Sequence, residues 1–217
     1  MAPDSTASAA DRGVPPPRVA FLGPLGTYSH QATSDFFGTC ELVPQTRIAD
    51  VFAAVSSGLT PFGLVPIENS SFGNVAETME QLRTTALSVR GMIALRIGHA
   101  LLASRRAEKG KMKRVYSHEQ GIGQCRGYLA ERYPGAEIIP VNSTAQAAQE
   151  AFDDPEALAI CSLKCAEVYD LDIVDKDIQD AGATNTTRFV VLAPSTVPLP
   201  PYYPMTRLGK LDEQTEQ

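Results

Sequence analysis

Short apolar segments alternate with helical stripes along most of this chain. Arg18–Gly23 reads RVAFLG and ends in a Gly-Pro turn, which is typical of a strand. The segment 48–58 then places apolar residues at i, i+3, i+4 and i+7 before a glycine, which predicts a helix. Phe62–Ile67 is the next predicted strand. Strand–helix alternation of this kind builds mostly parallel sheets that are covered by helices.

The same alternation continues to residue 193. Further strands are predicted at Arg114–Ser117, Glu137–Val141, Ala157–Cys161, Leu171–Val174 and Arg188–Leu192. Helices are predicted around Val75–Leu82, through Ile122, Cys125 and Leu129, at Thr144–Phe152, and up to Tyr169. Apolar residues between Val89 and Leu102 alternate, which predicts one longer strand that crosses between lobes. Residues 1–17 are interpreted as a disordered leader, 18–193 as the folded part, and 194–217 as a proline-rich tail.

Charge and composition exclude several classes of function. Nineteen basic and 25 acidic residues give a net charge of −6, which argues against a nucleic-acid or anionic-membrane surface. Apolar runs stay well below the roughly 18–20 residues that span a bilayer. Four cysteines and three histidines show no metal-ligand spacing, so no metal is expected, and the cysteines favour a reducing, cytoplasmic setting. Cys161 and Cys165 are expected to be small buried residues.

Polar residues collect in loops that follow predicted strands. These loops are Gly23–His30, Pro66–Asn74, Ser117–Gln124 and Asn142–Thr144. Ligands of open α/β sheets bind at the carboxyl ends of strands, and helix N-termini there favour an anion. The pattern therefore predicts a site for a small anion, with neither a phosphate-binding P-loop nor a dinucleotide fingerprint.

An alternative role exists for several of these side chains. Asn142–Thr144 precedes a helix, where such residues commonly serve only as caps. Capping does not explain Glu68 and Asn69, because they directly follow an apolar strand. His118 is either an acid–base group or an ordinary surface histidine, and the sequence leaves both open.

Five segments, in order, resemble the prephenate dehydratases of phenylalanine biosynthesis. They are Gly23–Ser29 (GPLGTYS), Gly63–Ser70 (GLVPIENS), Ser117–Gln120 (SHEQ) followed by Gln124-Cys125, Asn142–Ala148 (NSTAQAA), and Asn185–Phe189 (NTTRF). Two departures stand out. Glu119 takes the place of a usual proline, and the stretch from Asp180 to Asn185, which contains Thr184, is one residue longer than usual.

The resemblance implies a two-lobed α/β fold like that of periplasmic binding proteins, with the active site in the cleft. The first lobe would comprise about residues 18–100 plus 187–193, and the second about residues 101–186, with crossings near Gly98 and before Thr187. Family members usually continue into a C-terminal ACT domain that binds phenylalanine. Residues 194–217 are too few for that domain, so the catalytic unit alone is expected.

The resemblance also implies an activity: conversion of prephenate to phenylpyruvate with loss of carbon dioxide and water, without a cofactor. Thr187, Glu68 and Asn69 are the expected catalytic residues, with Thr187 hydrogen-bonding the leaving hydroxyl. The expected substrate-binding residues are Thr27, Ser29, Ser70, Ser117, Gln124, Asn142, Ser143, Thr144 and Arg188. Arg188 either binds a substrate carboxylate or forms a structural pair between the lobes.

Two other functions stay open. Arogenate dehydratases share these motifs and accept an amino group in place of the keto oxygen. A non-catalytic two-lobed module that binds or senses a small anion has the same architecture. A homo-oligomer is expected, with no nucleic-acid or membrane partner.

Overall fold

A computed structural model describes residues 15–108, 110–180 and 185–198. The predictions for leader residues 1–14, for tail residues 199–217 and for the additional residue near Thr184 lie outside the described residues.

Eleven strands and seven helices make up the described chain. In order they are β1 (Arg18–Leu22), α1 (Tyr28–Phe37), β2 (Glu41–Gln45), α2 (Ile48–Ser56), β3 (Phe62–Asn69), β4 (Gly73–Asn74), α3 (Ala76–Thr84), β5 (Ser88–Arg96), β6 (Ala100–Ser104), β7 (Arg114–Ser117), α4 (Glu119–Gln124), α5 (Arg126–Arg132), β8 (Glu137–Pro140), α6 (Thr144–Asp153), β9 (Ala157–Cys161), α7 (Lys164–Val168), β10 (Leu171–Asp175) and β11 (Thr186–Ala193). None of these helices is long and apolar enough to cross a bilayer.

The strands form two sheets, one in each lobe. The first has the order β2-β1-β3-β11-β5, with β4 paired to β3, and the second has the order β10-β6-β9-β7-β8. Apart from the short β4, one strand in each sheet runs against the others: β11 is antiparallel to β3 and β5, and β6 is antiparallel to β9 and β10. The α/β, two-lobed, mostly parallel fold class is confirmed, with a reversed strand in each sheet as the added feature.

Helices cover the sheets as the hydrophobic pattern predicts. Ile48, Val51, Phe52 and Val55 of α2 are buried, and the first three pack with Val65 and Val190 of the first sheet. In the second lobe, Ala147, Ala148 and Ala151 of α6 pack against Ala159 and Cys161 of β9. Small side chains on α6 allow the helix to approach its sheet closely. Cys161 and Cys165 are fully buried, as expected.

Two predicted elements are divided in the structure. The single strand expected over Val89–Leu102 is two strands, β5 in the first sheet and β6 in the second. The residues between them, Ile97–His99, do not pair with a neighbouring strand, because their backbone bonds to the segment before β11, where the chain returns to the first lobe. There Ile97 N donates to Asn185 O at 2.8 Å, and His99 N to Gln179 Oε1 at 2.9 Å. The helix expected through Cys125 is α4 and α5, since Cys125 has the non-helical dihedrals φ −121 and ψ 19.

The sequence patterns did not predict α1, β2 or β4. Helix α1 buries Ser29, His30 and Thr33 beside Ala32 and Phe37, so its buried face is too polar to show a hydrophobic stripe. Strand β2 is an edge strand that contains Pro44, a residue that edge positions tolerate.

The loop after β1 makes direct contacts between the lobes. Gly26 O accepts hydrogen bonds from Ser162 Oγ at 2.7 Å and Cys165 Sγ at 3.1 Å, and Leu25 O accepts one from Tyr169 Oη at 3.1 Å. Gly26 has a φ of +88, and a Cβ atom there would lie 2.9 Å from Cys165 Sγ. Only glycine fits this left-handed, crowded position.

Candidate active site

The carboxyl end of β3 and the start of β11 bring Asn69 and Thr187 together. Asn69 Nδ2 donates to Thr187 Oγ1 at 2.8 Å, and the two residues are register partners. Asn69 Oδ1 accepts from the backbone N–H groups of Ser71 (2.9 Å) and Phe72 (3.2 Å). Because its oxygen is occupied by two donors, the amide must turn its nitrogen toward Thr187. Thr187 is 8% exposed.

Glu68 and Arg188 are the next register pair along the same two strands. Arg188 Nη1 lies 2.7 Å from Glu68 Oε2, with the side chains 56% and 40% exposed. Successive side chains of a strand point to opposite faces, so this ion pair lies across the sheet from Asn69 and Thr187. The structure joins Arg188 to a carboxylate of its own lobe, whereas the structural alternative anticipated a pair between lobes.

Ser70 links the first lobe to the crossing that returns to it. Ser70 N donates to Thr186 O at 2.9 Å, and Thr186 N donates to Ser70 Oγ at 2.9 Å. Ser70 Oγ also lies 3.5 Å from Asn185 Oδ1. Gln124 of the Ser117–Gln124 loop and Asn185 of the NTTRF segment also meet here, since Asn185 Nδ2 donates to Gln124 Oε1 at 3.3 Å.

Gln124 ends α4 in the second lobe and contacts the first crossing as well. Its Oε1 lies 2.6 Å from Nε2 of His99, which is 3% exposed and lies on the Ile97–His99 crossing. The other ring nitrogen of His99 lies 2.8 Å from the hydroxyl of Tyr28 on α1. No sequence motif pointed to a role for His99. Its signal was a histidine inside an otherwise apolar predicted strand.

Several of the expected substrate-binding hydroxyls instead bond to the protein's own backbone. Thr27 and Ser143 are the N-caps of α1 and α6 and accept hydrogen bonds from His30 N and Gln146 N. Ser117 is fully buried and donates to Ile160 O at 2.8 Å. The capping interpretation therefore holds for Ser143. The remaining expected residues lie beside these caps: Ser29 in the first turn of α1, Asn142 exposed before α6, and Thr144 as its first residue.

His118 also serves as a cap. Its Nδ1 accepts from Gln120 N at 3.3 Å at the start of α4. This geometry supports the structural reading of His118.

A cavity of about 710 Å³ opens between the two lobes. The turn after Asn69 contributes Ser71 and Phe72 to its wall, and the opposite wall comes from α4, α5 and β8. The second-lobe lining residues are Glu119, Gln120, Ile122, Gly123, Gln124, Arg126, Ile138 and Pro140. Phe72 is 55% exposed, an unusual exposure for a phenylalanine that a ligand-binding role would explain.

Burial keeps His99 and Tyr28, which contact each other at the first crossing, in their neutral forms. Burial lowers the pKa of His99 below its usual 6.5, although its hydrogen bond to Gln124 acts in the opposite direction. Burial raises the pKa of Tyr28 well above 10. Within the described ranges, no group of three or more His, Cys, Asp or Glu side chains has the geometry of a metal site.

Comparison with known proteins identifies the family. The family model described as prephenate dehydratase matches residues 19–196. The bifunctional chorismate mutase/prephenate dehydratase of Aquifex aeolicus is 38% identical over 178 residues, which are 81% of this chain and 48% of that protein. The chain thus spans about half the length of the curated relatives it matches.

Two solved structures are similar to this chain in fold and sequence. The prephenate dehydratase of Arthrobacter aurescens, solved in complex with L-Phe, has a TM-score of 0.75 and 29% identity over 84% of this chain and 62% of its own. GqqA, described as a novel type of quorum-quenching acylase, has a TM-score of 0.75 and 29% identity over 84% of this chain and 66% of its own. Since the family model covers most of the chain, the chain belongs to the prephenate dehydratase family.

Proposed function

We propose that this protein converts prephenate to phenylpyruvate, as a step of phenylalanine biosynthesis. The observation that carries the proposal is the hydrogen bond from Asn69 Nδ2 to Thr187 Oγ1. Because Asn69 donates, the hydroxyl hydrogen of Thr187 is not used in this bond. It is available to a leaving hydroxyl group.

The reaction is redox-neutral and consumes one proton. The bond between the ring carbon and its carboxylate breaks and releases carbon dioxide. The electron pair forms a ring double bond and expels the hydroxyl, which leaves as water after it accepts a proton. Formation of the aromatic ring supplies the driving force, so the protein mainly orients the dianion and helps the hydroxyl to leave.

The residues of the cavity suit such a substrate. Arg126 has no ion-pair partner among the described residues and lines the cavity, so it is a candidate partner for a carboxylate. Phe72 offers an apolar face to the ring. A hydroxyl is a poor acid, so Thr187 is assigned the role of hydrogen-bonding the leaving group, with the proton relayed from solvent or another group.

Direct assay tests this proposal. Purified protein is incubated with prephenate, and phenylpyruvate and carbon dioxide are quantified. Formation of both in equal amounts supports the proposal. Binding of prephenate without product would favour the alternative of a small-anion binding module.

Arogenate is a second candidate substrate, because Glu119 lines the cavity and has no ion-pair partner among the described residues. A carboxylate at this position would attract the ammonium group of arogenate and repel a dianion. Side-by-side kcat/KM values for the two substrates decide between them. If arogenate is preferred, Glu119→Gln should lower the ratio of kcat/KM for arogenate to kcat/KM for prephenate. Glu131→Gln removes a carboxylate at an exposed position of α5 and should leave this ratio unchanged.

The remaining expectations concern the compartment, the metal requirement and the oligomeric state of the protein. We expect activity in the cytoplasm, where the four free cysteines would stay reduced, and activity that is unchanged after chelation of metals. The expected homo-oligomer has a candidate surface at the edge strand β5, where Val89 and Met92 are 47% and 43% exposed. Light scattering coupled to size exclusion measures the oligomeric state, and Met92→Lys should dissociate an oligomer that uses this edge.

A further inference from the structure

We infer that His99 and Asn185 are positioning residues that hold the Gln124 side chain with its NH₂ group facing the cavity. This inference rests on the proposed function, since it assigns that NH₂ group to an oxygen of the bound dianion. Neither His99 nor Asn185 was assigned a role by the sequence motifs.

The amide oxygen of Gln124 accepts hydrogen bonds from both of these residues. Two side chains approach it: His99 Nε2 at 2.6 Å and Asn185 Nδ2 at 3.3 Å. An amide oxygen has two lone pairs, so both are used. The amide nitrogen therefore points away from His99 and Asn185, and Gln124 lines the cavity.

The ring of His99 is itself held in place. Its backbone N–H donates to Gln179 Oε1 at 2.9 Å, and the hydroxyl of Tyr28 lies 2.8 Å from Nδ1. The Tyr28 hydroxyl has one hydrogen and two acceptors within reach, His99 Nδ1 at 2.8 Å and Gly98 O at 3.1 Å. Because Nε2 carries the hydrogen that donates to Gln124, the neutral ring offers Nδ1 as the acceptor at the shorter of these two distances. At 3% exposure, the ring has little contact with water that would replace either bond.

The two donors come from the two chain crossings between the lobes. His99 ends the first crossing, and Asn185 precedes β11 at the end of the second. The second crossing is also attached to the α4–α5 junction, because the carboxylate of Asp180 accepts from Gly127 N (2.7 Å) and Tyr128 N (2.8 Å), and Asp180 N donates to Gln124 O (2.8 Å). Gln124 is thus fixed at both its backbone and its side-chain oxygen.

Asn69 of the first lobe shows the same arrangement. Its Oδ1 also receives two donors, and its amide nitrogen is directed to Thr187. Each lobe therefore presents one side-chain amide whose oxygen is bound internally and whose nitrogen is oriented. Such preorganised donors suit a substrate whose polar atoms are all oxygens.

A purely structural role for His99 makes a different prediction. A histidine that only joins the lobes would, when replaced, lower the melting temperature and the active fraction without changing KM. Loss of the orientation of Gln124 should instead raise KM at nearly constant kcat, because a carboxylate contact acts in both the ground state and the transition state.

Two substitutions of His99 separate these roles. Asparagine ends near the position of Nδ1, so His99→Asn keeps a group for Tyr28 but does not reach Gln124. Glutamine reaches the position of Nε2, so His99→Gln keeps a donor for Gln124. We expect His99→Asn to raise KM for prephenate about tenfold, the effect of one hydrogen bond to a charged group, and His99→Gln to restore much of that loss.

A double-mutant cycle with Gln124→Ala completes the test. In the Gln124→Ala background, His99→Asn should change KM less than about twofold, because it acts through a side chain that is gone. The inference would be overturned if the fold-changes in KM of the two single variants multiplied in the double variant. It would also be overturned by an unchanged KM in His99→Asn, or by an equal rise of KM in His99→Asn and His99→Gln. If His99→Asn does not fold, Asn185→Ala takes its place in the cycle, with the same expected coupling and the same overturning outcomes.

Nuclear magnetic resonance separates this inference from the proposed function. A two-bond ¹H–¹⁵N spectrum at pH 7.5 should show a neutral His99 ring protonated at Nε2. That tautomer supports the orientation of Gln124 whether or not prephenate is turned over, and a ring protonated at Nδ1 overturns it. Absence of turnover by the wild-type protein would overturn only the proposed reaction.

Discussion

Asn69 Nδ2 lies 2.8 Å from Thr187 Oγ1, and this hydrogen bond joins the end of β3 to the start of β11. The direction of the bond is set by the turn that follows Asn69, whose backbone N–H groups occupy the amide oxygen. A backbone turn in the first lobe therefore determines that Thr187 accepts from Asn69 and retains its own hydrogen for another partner.

Replacement of Thr187 by valine should lower kcat for prephenate about 100-fold, the usual effect of removing one donor that stabilises a developing charge. Valine has the shape of threonine but no hydroxyl, so the register with Asn69 and Leu95 should persist. Steady-state kinetics measure the effect, and melting temperature verifies folding. Thr187→Ser is the matched control and should retain most of the activity. Equal activity of the valine and serine variants would contradict a role for the hydroxyl.

The direction of the Asn69 bond can be reversed by one atom. In Asn69→Asp the carboxylate accepts, so Thr187 would donate its hydrogen to residue 69 instead of the substrate. We expect kcat to fall at least about tenfold, which corresponds to about 1.4 kcal/mol. Asn74→Asp adds the same charge on the neighbouring strand β4 and should have a much smaller effect. Comparable losses in both variants would show that charge, not hydrogen-bond direction, is responsible.

The sequence predicts the fold better than it predicts the function of individual polar residues. The stripe at Ile48, Val51, Phe52 and Val55 became α2 because apolar periodicity reflects burial against a sheet. In the polar loops, hydroxyls that cap helices and hydroxyls that face a ligand have the same local sequence. Thr27 and Ser143 are helix N-caps, whereas the hydroxyl of Thr187 accepts a hydrogen bond from the side-chain amide of Asn69.

The contacts of Gln124 could not be predicted from the sequence, for a different reason. His99 and Asn185 are 25 and 61 residues away in sequence, and they meet Gln124 only because the two crossings pass each other between the lobes. No local pattern encodes that proximity. A histidine inside an otherwise apolar predicted strand was the available indication.

Ser117 should contribute to stability more than to substrate binding. Its hydroxyl is fully buried and donates to Ile160 O, so Ser117→Ala leaves a buried carbonyl without this donor. We expect a loss of about 1 kcal/mol in the free energy of unfolding, with KM unchanged. Chemical denaturation and kinetics measure the two quantities, and Ser56→Ala, at an exposed helix position, is the control. A raised KM with unchanged stability would restore Ser117 to the substrate-binding set.

Stability should fall as pH decreases through the region below 6.5. His30 and His99 are both buried, and burial lowers the pKa of each below 6.5 in the folded protein. Between the folded and unfolded pKa values the unfolded state binds more protons, so the free energy of unfolding rises with pH there and is lost on acidification. Protonation would also remove the acceptor Nδ1 that each ring offers, to Gly26 N and to the Tyr28 hydroxyl. Melting temperatures measured between pH 8 and pH 5 should decrease mainly below pH 6.5, and less steeply in His99→Gln, which cannot gain a proton. Carboxylates such as Asp154, whose pKa is lowered by its hydrogen bond from Arg114, lose their contribution only at lower pH. A decline confined to the region below about pH 4.5 would therefore show that these histidines carry no such linkage.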